Sequence, residues 1–385
     1  NLLLIVLTYR GRPGGCHIPA VCCERTCRVM DVKKLSSHVL WGTVTVLVLI
    51  VLVVVTSVPG VSRATGLRIG VPFAAMGPGP SFDVLGTTDD GQEVVQIDGA
   101  PVDETDGQLR MLTVSVFTDL GLGDAIAMWF DKDRELVPLS SVIPPNVSEE
   151  DMEEANKQAF NNSESAATLA ALNHLGIPLE TVVAEVMEGT PADGLFEVED
   201  VLLLVDGHPV TVPSTVSDYI ATKVVGDDVT FTVRRGDEEI EVPVTVGERE
   251  GKPYVGLLMK VDPSGDVTVN YRLSDIGGSS AGMMFALAVI DKLDPGDTTK
   301  GLAIAGTGTI DPDGTVGPIG GITHKMTAAE EAGAELFLAP ADNCDEVVEK
   351  DPGNMTVAKV ASLDEALAAI DAYAAGQPVT SCTAE

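Results

Sequence analysis

The sequence predicts an α+β protein with one transmembrane helix before two soluble folded parts. Residues 39–58 form an uncharged apolar run that is long enough to span a bilayer. Residues 175–248 consist of short β-type segments and Gly-rich turns, a pattern typical of a compact β-rich module. Residues 251–375 alternate strand patterns with Ala-rich helical patterns. The predicted segments are therefore a tail (1–38), the membrane helix (39–58), an N-terminal ectodomain segment (61–174), the β-rich module (175–248), an α+β domain (251–375) and a C-terminal tail (376–385).

The charges divide the chain into two unlike parts. The 385 residues include 24 Lys and Arg and 58 Asp and Glu, and the first 70 residues hold eight of the basic and two of the acidic ones. Residues 71–385 therefore carry 16 basic and 56 acidic side chains. Because phosphate binding needs a basic surface, this composition argues against a nucleic-acid partner. A hydrophobic content of 45% excludes disorder throughout the chain.

The cysteines favour neither a metal site nor a disulfide framework. Four of the six lie in the first 30 residues without the two separated pairs of a zinc site, at Cys16, Cys22, Cys23 and Cys27. Residue 1 is Asn, and Met30 stands just before the basic start of the apolar run, so residues 1–29 are interpreted as upstream sequence outside the mature protein. Only Cys344 and Cys382 remain, and we expect Cys382 to be a loose end of the tail.

The apolar run from Val39 to Val58 contains 20 consecutive residues without a charge, which predicts a membrane helix or an uncleaved signal anchor. Lys33 and Lys34 precede it, and the positive-inside rule then places the residues after it outside the cytoplasm. Arg63 and Arg68 on the far side oppose this orientation. A cleaved signal peptide is the alternative. Both interpretations predict an extracytoplasmic location for the acidic part.

The segment that follows the membrane helix mixes loop, strand and helix patterns. Residues 70–80 are rich in Gly and Pro and are predicted to be too broken for regular structure. Strands are predicted near Val94–Ile97 and Leu112–Phe117. An acidic start followed by apolar residues at helical spacing predicts a helix over Ser148–Leu175.

The β-rich module carries two motifs, Gly-Thr-Pro-Ala at 189–192 and Asp-Val-Leu-Leu-Leu-Val-Asp-Gly at 200–207. Together they resemble the core of PDZ domains of the bacterial protease-associated type. The resemblance implies a groove that adds a peptide as an extra strand and binds its terminal carboxylate through loop N–H groups. Leu175, Gly176 and Ile177 are the candidates for that loop. The alternative is that Gly176 is only a turn glycine between a helix and a strand.

Ser280 is the candidate nucleophile. It lies in Gly-Gly-Ser-Ser-Ala-Gly, just before an apolar run over Met283–Leu293 that predicts a buried helix. Free N–H groups and the positive dipole end of a helix N-terminus favour a developing oxyanion, and Ser280 and Ala281 would supply the N–H donors. Flanking glycines such as Gly278 let a substrate approach the backbone closely. The alternative is an ordinary N-cap serine behind a Gly-rich turn.

Two later motifs favour catalysis: Thr-Gly-Thr-Ile, which begins at Thr307, and Gly-Pro-Ile-Gly-Gly-Ile-x-x-Lys, which ends at Lys325. In order and spacing, these motifs and that of Ser280 resemble the active site of Lon-type Ser-Lys proteases, over about Tyr254–Tyr373. The resemblance implies a Lon-type proteolytic fold with Ser280 as nucleophile, Lys325 as general base and Thr307 holding the lysine amine. One departure is Ser279, where the family usually has Pro, so Ser280 is chosen by register.

The chemistry of such a pair depends on the environment of the lysine. A lysine can accept the serine proton only when it is neutral, so it must be desolvated to lower its pKa from about 10.4. Lys325 stands among Gly, Ile, Met and Ala, and it is the only Lys between Lys300 and Lys350. The alternative is a surface helix lysine.

A second enzyme interpretation comes from Gly-Ser-Ser-Ala-Gly, which also satisfies the G-x-S-x-G motif of α/β-hydrolases. His324 would be the triad histidine, 44 residues after Ser280, with Asp311 or Asp313 as the acid. This spacing is cramped for such a hydrolase. His324 is therefore interpreted as a solvated or indirect neighbour of Lys325. No H-E-x-x-H motif is present, so metal-dependent hydrolysis has no support.

Segment lengths predict an insertion. The Lon-type fold normally has strands and a long helix before its serine, yet only about 30 residues separate the PDZ-like module from Ser280. Residues 85–174, including Leu112–Phe117, would supply the missing half, with the PDZ-like module inserted into the catalytic domain.

These observations predict a membrane-anchored Ser-Lys endopeptidase whose PDZ-like groove selects protein or peptide substrates. No Walker A motif occurs in the chain, so ATP-driven chemistry is not indicated, and no cofactor is expected. The resemblance also implies self-association. The non-enzymatic alternative is a membrane-tethered peptide-binding scaffold whose Lon-like half is only structural.

Overall fold

The computed structural model describes residues 40–48, 51 and 70–383, apart from residues 104, 146, 266, 274 and 275. Residues 40–48 and 51 are helical, whereas the rest of the predicted membrane helix lies outside the described residues. The predicted tail 1–38, with its four cysteines, also lies outside them. Within the part that the structure describes, no helix has both the length and the apolar character needed to cross a membrane.

The described residues after position 70 form a mixed α+β fold, which confirms the predicted class. Its strands are β1 (Phe73–Asp83), β2 (Val95–Asp98), β3 (Gln108–Phe117), β4 (Glu135–Pro138), β5 (Leu179–Val186), β6 (Val201–Val205), β7 (His208–Pro209), β8 (Asp228–Arg235), β9 (Glu238–Thr245), β10 (Gly247–Arg249), β11 (Lys252–Tyr254), β12 (Leu257–Pro263), β13 (Thr268–Tyr271), β14 (Ala303–Gly306), β15 (Thr309–Ile310), β16 (Val316–Gly317), β17 (Leu336–Pro340) and β18 (Thr356–Val360). Its helices are α1 (Leu122–Trp129), α2 (Leu139–Val142), α3 (Glu149–His174), α4 (Pro213–Ala221), α5 (Gly282–Leu293), α6 (Ile322–Glu331), α7 (Cys344–Val347) and α8 (Leu363–Ala374).

A six-stranded sheet organises the part of the fold that contains Ser280. Its strand order is β18-β17-β14-β3-β1-β4, with the first four strands parallel and the last two antiparallel to their neighbours. The predicted buried helix is confirmed as α5, in which every residue from Met283 to Ile290 is at most 2% exposed. The long helix α3 covers α5, and Phe160 of α3 meets the ring of Phe285 edge-on, with centroids 5.6 Å apart. Apolar packing on several sides thus fixes the N-terminus of α5.

Residues before and after the PDZ-like module share this sheet. Strand β3 pairs with β14, where Leu109 lies opposite Ile304. Strand β2 pairs with β13, which follows the module. The predicted strand Leu112–Phe117 is part of β3 and lies in the same sheet as the strand after Ser280, as the insertion hypothesis requires.

The Gly/Pro-rich stretch at 70–80 is not irregular, contrary to the sequence prediction. Residues 73–83 form β1, an 11-residue strand. The register of β1 against β3 shifts between Pro78 and Ser81, and β4 pairs only with residues 73–76. Pro78 and Pro80 therefore lie at a bulge of β1 and outside its pairing with β4, where a missing backbone N–H donor is tolerated.

A second sheet, of order β12-β5-β6-β8-β9 with β7 beside β6, forms the PDZ-like module. It has a core of its own, in which Val216 and Ile220 of α4 pack with Val205 and Phe231. The sequence predicts that the module ends at residue 248 and that the proteolytic domain begins at residue 251. The structure instead places β12 in the module sheet, paired with β5. The two PDZ-like motifs, at residues 189–192 and 200–207, do not predict that β12 belongs to the module, because β12 lies about 50 residues after the second motif.

The loop Leu175-Gly176-Ile177 ends α3 and does not present free N–H groups to a carboxylate. Gly176 has φ 66°. Its N–H donates to Asn173 O, and the N–H of Ile177 donates to Leu172 O. This pattern is a Schellman cap, in which both donors satisfy helix carbonyls. The strand that follows, β5, is interior to its sheet, and the end of the edge strand β12 lies beside the loop, where Pro263 pairs with Leu179. Gly176 thus caps α3, as the turn-glycine alternative states, but Gly176 and Ile177 also line a cavity of about 720 Å³ together with Pro213 and Val261. The peptide-binding role of the loop stays a prediction.

The C-terminal tail is tied to the fold. Cys344 at the start of α7 forms a disulfide with Cys382, with Cα atoms 5.1 Å apart. The N–H of Lys359 in β18 also donates to Thr380 O at 2.8 Å. Cys382 is thus not the loose end that the sequence suggested. The expectation was wrong because the tail returns along β18, a long-range contact that cysteine spacing does not reveal.

Candidate active site

Two helix N-termini bring the predicted nucleophile and base together. Ser280 precedes α5, and Lys325 is the fourth residue of α6. Gly321, in the left-handed conformation at φ 70°, begins α6 and turns the chain toward Ser280. Lys325 Nζ lies 2.6 Å from Ser280 Oγ, within hydrogen-bonding distance. The predicted pair is therefore in contact.

The lysine is in an environment that favours its neutral form. Its side chain is only 3% exposed, and burial lowers its pKa to about 8. Desolvation acts in this direction because the buried ammonium has lost the water that stabilised its charge. A lysine with this pKa is partly neutral near physiological pH and can then accept the proton of a serine hydroxyl.

Thr307 links the lysine to the nucleophile loop. Lys325 Nζ lies 2.9 Å from Thr307 Oγ1. Thr307 Oγ1 in turn donates to the carbonyl of Ser280 at 3.0 Å. The side chain is fully buried at the end of β14. The supporting contact implied by the resemblance is thus present in the structure.

The loop that carries the nucleophile is also held by α3, which the sequence analysis did not anticipate. The N–H of Gly278 donates to Asn156 O at 2.9 Å. Ser163 Oγ donates to Ser279 O at 3.0 Å. Asn156, Phe160 and Ser163 follow i, i+4, i+7 spacing and therefore share one face of α3. The sequence offers one sign of this contact: the hydroxyl of Ser163 falls within the apolar stripe of the predicted helix.

A cleft of about 760 Å³ opens at Ser280 and Lys325. One wall is the end of β3 from Met111 to Ser115, and the other is the loop Pro318–Gly320. Ile276 to Ala281, including Gly278 at φ 93°, form its floor. An extended peptide placed between the two walls would carry its scissile carbonyl past the serine.

Asn343 fixes the loop wall of the cleft. Its buried side-chain amide accepts a hydrogen bond from the N–H of Ile319 and donates one to the carbonyl of Ile319, each at 2.9 Å. Both polar groups of the Ile319 backbone are therefore used, and the loop leading into α6 is held in one position. Asn343 is adjacent to Cys344, so the disulfide lies next to this contact.

His324 does not form a triad with Ser280. It is buried at 9% exposure, which rules out the first of its two predicted roles, a solvated side chain, and leaves the second, an indirect neighbour of Lys325. Its Nε2 lies 3.7 Å from Glu135 Oε2 on β4. Asp311 and Asp313 lie at the turn between β15 and β16, where Asp313 accepts a hydrogen bond from Thr315 N–H. The hydrolase alternative thus lacks its histidine–acid contact among the described residues.

Comparisons with known families agree with these two structural units. Residues 152–246 match the PDZ domain family, and residues 274–371 match the Lon protease (S16) C-terminal proteolytic domain. The chain is 40% identical over 76 residues to the archaeal Lon protease of Halobacterium salinarum, covering 20% of this chain and 10% of that relative. It is 33% identical over 94 residues to the archaeal Lon protease of Archaeoglobus fulgidus, covering 24% of this chain and 15% of that relative.

Solved PDZ structures also match the chain. The PDZ domain of an SdrC-like protein from Listeria innocua is 28% identical with a TM-score of 0.20, covering 21% of this chain and 92% of that chain. The corresponding domain from Listeria monocytogenes is 24% identical with a TM-score of 0.20, covering 21% of this chain and 86% of that chain.

The alignments to the Halobacterium and Archaeoglobus proteases span only 10% and 15% of those relatives. The similarity therefore covers a small part of each relative rather than the whole enzyme. The chain therefore contains a PDZ domain together with the proteolytic domain of the Lon family of serine–lysine peptidases.

Proposed function

We propose that the protein is an ATP-independent serine endopeptidase that uses Ser280 and Lys325. The observation that carries the proposal is the 2.6 Å contact between Lys325 Nζ and Ser280 Oγ at a buried lysine with a lowered pKa. Neutral Lys325 takes the hydroxyl proton while Ser280 Oγ attacks the scissile carbonyl. The resulting ammonium then protonates the leaving amine, and water hydrolyses the acyl-enzyme with Lys325 again as base.

The oxyanion formed in each attack needs hydrogen-bond donors. The backbone N–H groups of Ser280 and Ala281 at the start of α5 are suited to this role, since the positive end of the helix dipole adds to their effect. No nucleotide is needed for these steps, and the chain contains no Walker A motif.

A peptide groove along the free edge of β12 would select substrates. This strand has a neighbour on one side only, and its Leu258 is 53% exposed. The loop before it contains Gly256 at φ 93°. A cavity of about 720 Å³ is lined by Val261 of β12, by Pro213 at the start of α4, and by Gly176 and Ile177 of the loop after α3. An edge strand beside a helix supports binding of a peptide as an added strand.

Membrane anchoring and an extracytoplasmic location are further parts of the proposal. They are supported by the 20 uncharged residues of 39–58 and by Lys33 and Lys34 before them. The disulfide of Cys344 and Cys382 adds support, because such bonds persist in oxidising compartments. Retention of the full chain in carbonate-washed membranes, with Lys359 accessible to an impermeant amine reagent, would test both.

Self-association also belongs to the proposal. Trp129 and Phe130 at the end of α1 are stacked on each other and exposed. Exposed aromatic pairs of this kind are typical of interfaces. Sedimentation of the full chain and of a Trp129→Ala, Phe130→Ala variant would test it.

The enzymatic core of the proposal is tested by cleavage of a denatured protein without nucleotide. The full chain and Ser279→Ala should cleave it, because Lys325 Nζ contacts the hydroxyls of Ser280 and Thr307, whereas Ser279 is exposed. Ser280→Ala and Lys325→Ala should not. Cleavage that survives in Ser280→Ala would contradict the proposal, and peptide binding without any cleavage would favour the scaffold alternative.

A further inference from the structure

Ser163 is a buried hydroxyl on α3 whose partner lies in another element. Ser165 and Thr168 of the same helix donate to carbonyls four residues earlier, at 3.1 and 3.0 Å, which is the usual local partner. Ser163 instead donates to Ser279 O, 116 residues away in sequence. Its side chain is 4% exposed and lies against Gly282, where an added Cβ would come within 2.8 Å of Ser163 Oγ. The hydroxyl is therefore enclosed at the start of α5.

The hydrogen bond of Ser163 sets the direction of one peptide unit. The peptide between Ser279 and Ser280 is trans and planar, so its C=O and N–H point in opposite directions. The carbonyl of Ser279 points at α3, and the N–H of Ser280 therefore points away from α3. Ser280 itself lines the cleft that holds Lys325.

The next peptide unit is anchored in the same manner from the other side. The carbonyl of Ser280 accepts hydrogen bonds from Gly308 N–H and Thr307 Oγ1, each at 3.0 Å. The N–H of Ala281 therefore points away from Thr307 and Gly308. Among the described residues, neither the N–H of Ser280 nor that of Ala281 donates to a protein group. Two anchored carbonyls thus leave two adjacent N–H donors free.

We propose that Ser163 is a positioning residue of the oxyanion hole: its hydroxyl holds the carbonyl of Ser279 so that the N–H of Ser280 faces the oxyanion. The inference rests on the proposed Ser-Lys chemistry. Because the oxyanion exists only in the transition state and the tetrahedral intermediate, loss of this orientation lowers kcat and leaves substrate binding nearly unchanged.

Steady-state hydrolysis of a fluorogenic peptide by the full chain tests the inference. Ser163→Ala should lower kcat by about tenfold to a hundredfold, with KM changed by less than about twofold. A peptide aldehyde, whose adduct with Ser280 carries the oxyanion, should lose affinity by the same factor as kcat/KM. The pH at half-maximal activity should not move, because Lys325 keeps its contacts.

Ser165→Ala is the matched control, since it removes a hydroxyl from the exposed side of the same helix. It should keep wild-type kcat. A kcat for Ser163→Ala within about twofold of wild type, or a loss expressed only in KM, would overturn the inference.

A crystal structure of Ser163→Ala decides the same point without any activity. A rotated Ser279–Ser280 peptide supports the inference, and an unchanged orientation overturns it. If wild-type hydrolysis does not depend on Ser280 and Lys325, the proposed function fails, while this structure still shows whether Ser163 orients the peptide.

Discussion

Lys325 Nζ and Ser280 Oγ lie 2.6 Å apart although 45 residues separate them in the chain. Each stands at the N-terminal end of a helix, and the lysine is buried beside Thr307, with no ion pair to an acidic side chain among the described residues. A buried ammonium without a carboxylate partner is held at a cost, which is the physical origin of its low pKa. The same arrangement makes the lysine a base, and it determines how activity and stability depend on pH.

Activity should rise with pH through about 8, because burial lowers the pKa of Lys325 to about 8. Below this pH the lysine is protonated and cannot accept the proton of Ser280, so kcat/KM should fall about tenfold per pH unit. A pH profile of peptide hydrolysis measures this. Lys325→Arg should be inactive at every pH, because a guanidinium does not lose its proton. A midpoint between 6 and 7 that disappears in His324→Gln would contradict the lysine assignment.

Lys325→Met should abolish hydrolysis and stabilise the fold at pH 7. The folded-state pKa of about 8 is below the ordinary lysine pKa of 10.5, and this difference corresponds to roughly 3 kcal/mol as an upper bound. Between these values the unfolded state binds more protons, so wild-type stability rises with pH. The advantage of Lys325→Met should therefore shrink between pH 8 and 10. Urea unfolding at several pH values checks this, and a destabilised variant at pH 7 would be evidence against a strained lysine.

Removal of the Thr307 hydroxyl should slow catalysis. Thr307→Val keeps the buried shape but removes the contact to Lys325 Nζ and the donor to Ser280 O. We expect kcat to fall by about tenfold or more, because the lysine and one anchored carbonyl both lose a partner. Thr307→Ser retains the hydroxyl and should recover most of the activity. Equal kcat values for the Val and Ser variants would show that the hydroxyl does not contribute.

Loss of the disulfide should destabilise the proteolytic domain. Cys344 and Cys382 are 38 residues apart, and a loop of this length is worth about 2–4 kcal/mol. The double variant Cys344→Ser, Cys382→Ser should unfold at lower denaturant concentration than wild type in oxidising buffer. Adding a reductant should lower the wild-type midpoint toward that of the variant. Identical midpoints in oxidising buffer would show that the tail contributes nothing to stability.

Peptide binding should protect the backbone amides at the free edge of β12. An added strand donates and accepts main-chain hydrogen bonds along its neighbour, which slows amide exchange there. With inactive Ser280→Ala protein and a peptide that binds, exchange should slow over residues 257–263, the strand at the open edge of the sheet. Unchanged exchange over residues 257–263 in the presence of bound peptide would contradict the proposed groove.

The catalytic triplet could be predicted from sequence because each member stands in a local motif. Ser280, Thr307 and Lys325 all adjoin glycines and a strand or helix end, and short-range patterns report such positions well. The buried helix α5 was also predictable because it is a continuous apolar, Ala-rich run. The long helix α3 was predictable from its acidic start, which Ser148 caps through Asp151 N–H.

The remaining contacts depend on residues that only the fold brings together. Ser163 donates to the carbonyl of Ser279, although the PDZ domain lies between the two residues in the chain. Asn343 holds the backbone of Ile319, but nothing in the sequence distinguishes this asparagine from a polar surface residue. The role of Gly176 is ambiguous in sequence for a related reason. A glycine between a helix and a strand has the same local pattern in a helix cap as in a carboxylate-binding loop, and only the sheet order shows that β5 is interior.

The most direct test of the Ser-Lys account is covalent labelling with a serine-directed peptidyl electrophile, mapped by mass spectrometry over pH 6 to 10. The account predicts labelling at Ser280, faster as pH rises through about 8, that is lost in Ser280→Ala and Lys325→Ala and retained in Ser279→Ala. Absence of labelling across this pH range, or labelling that survives loss of Lys325 but not of His324, would contradict it.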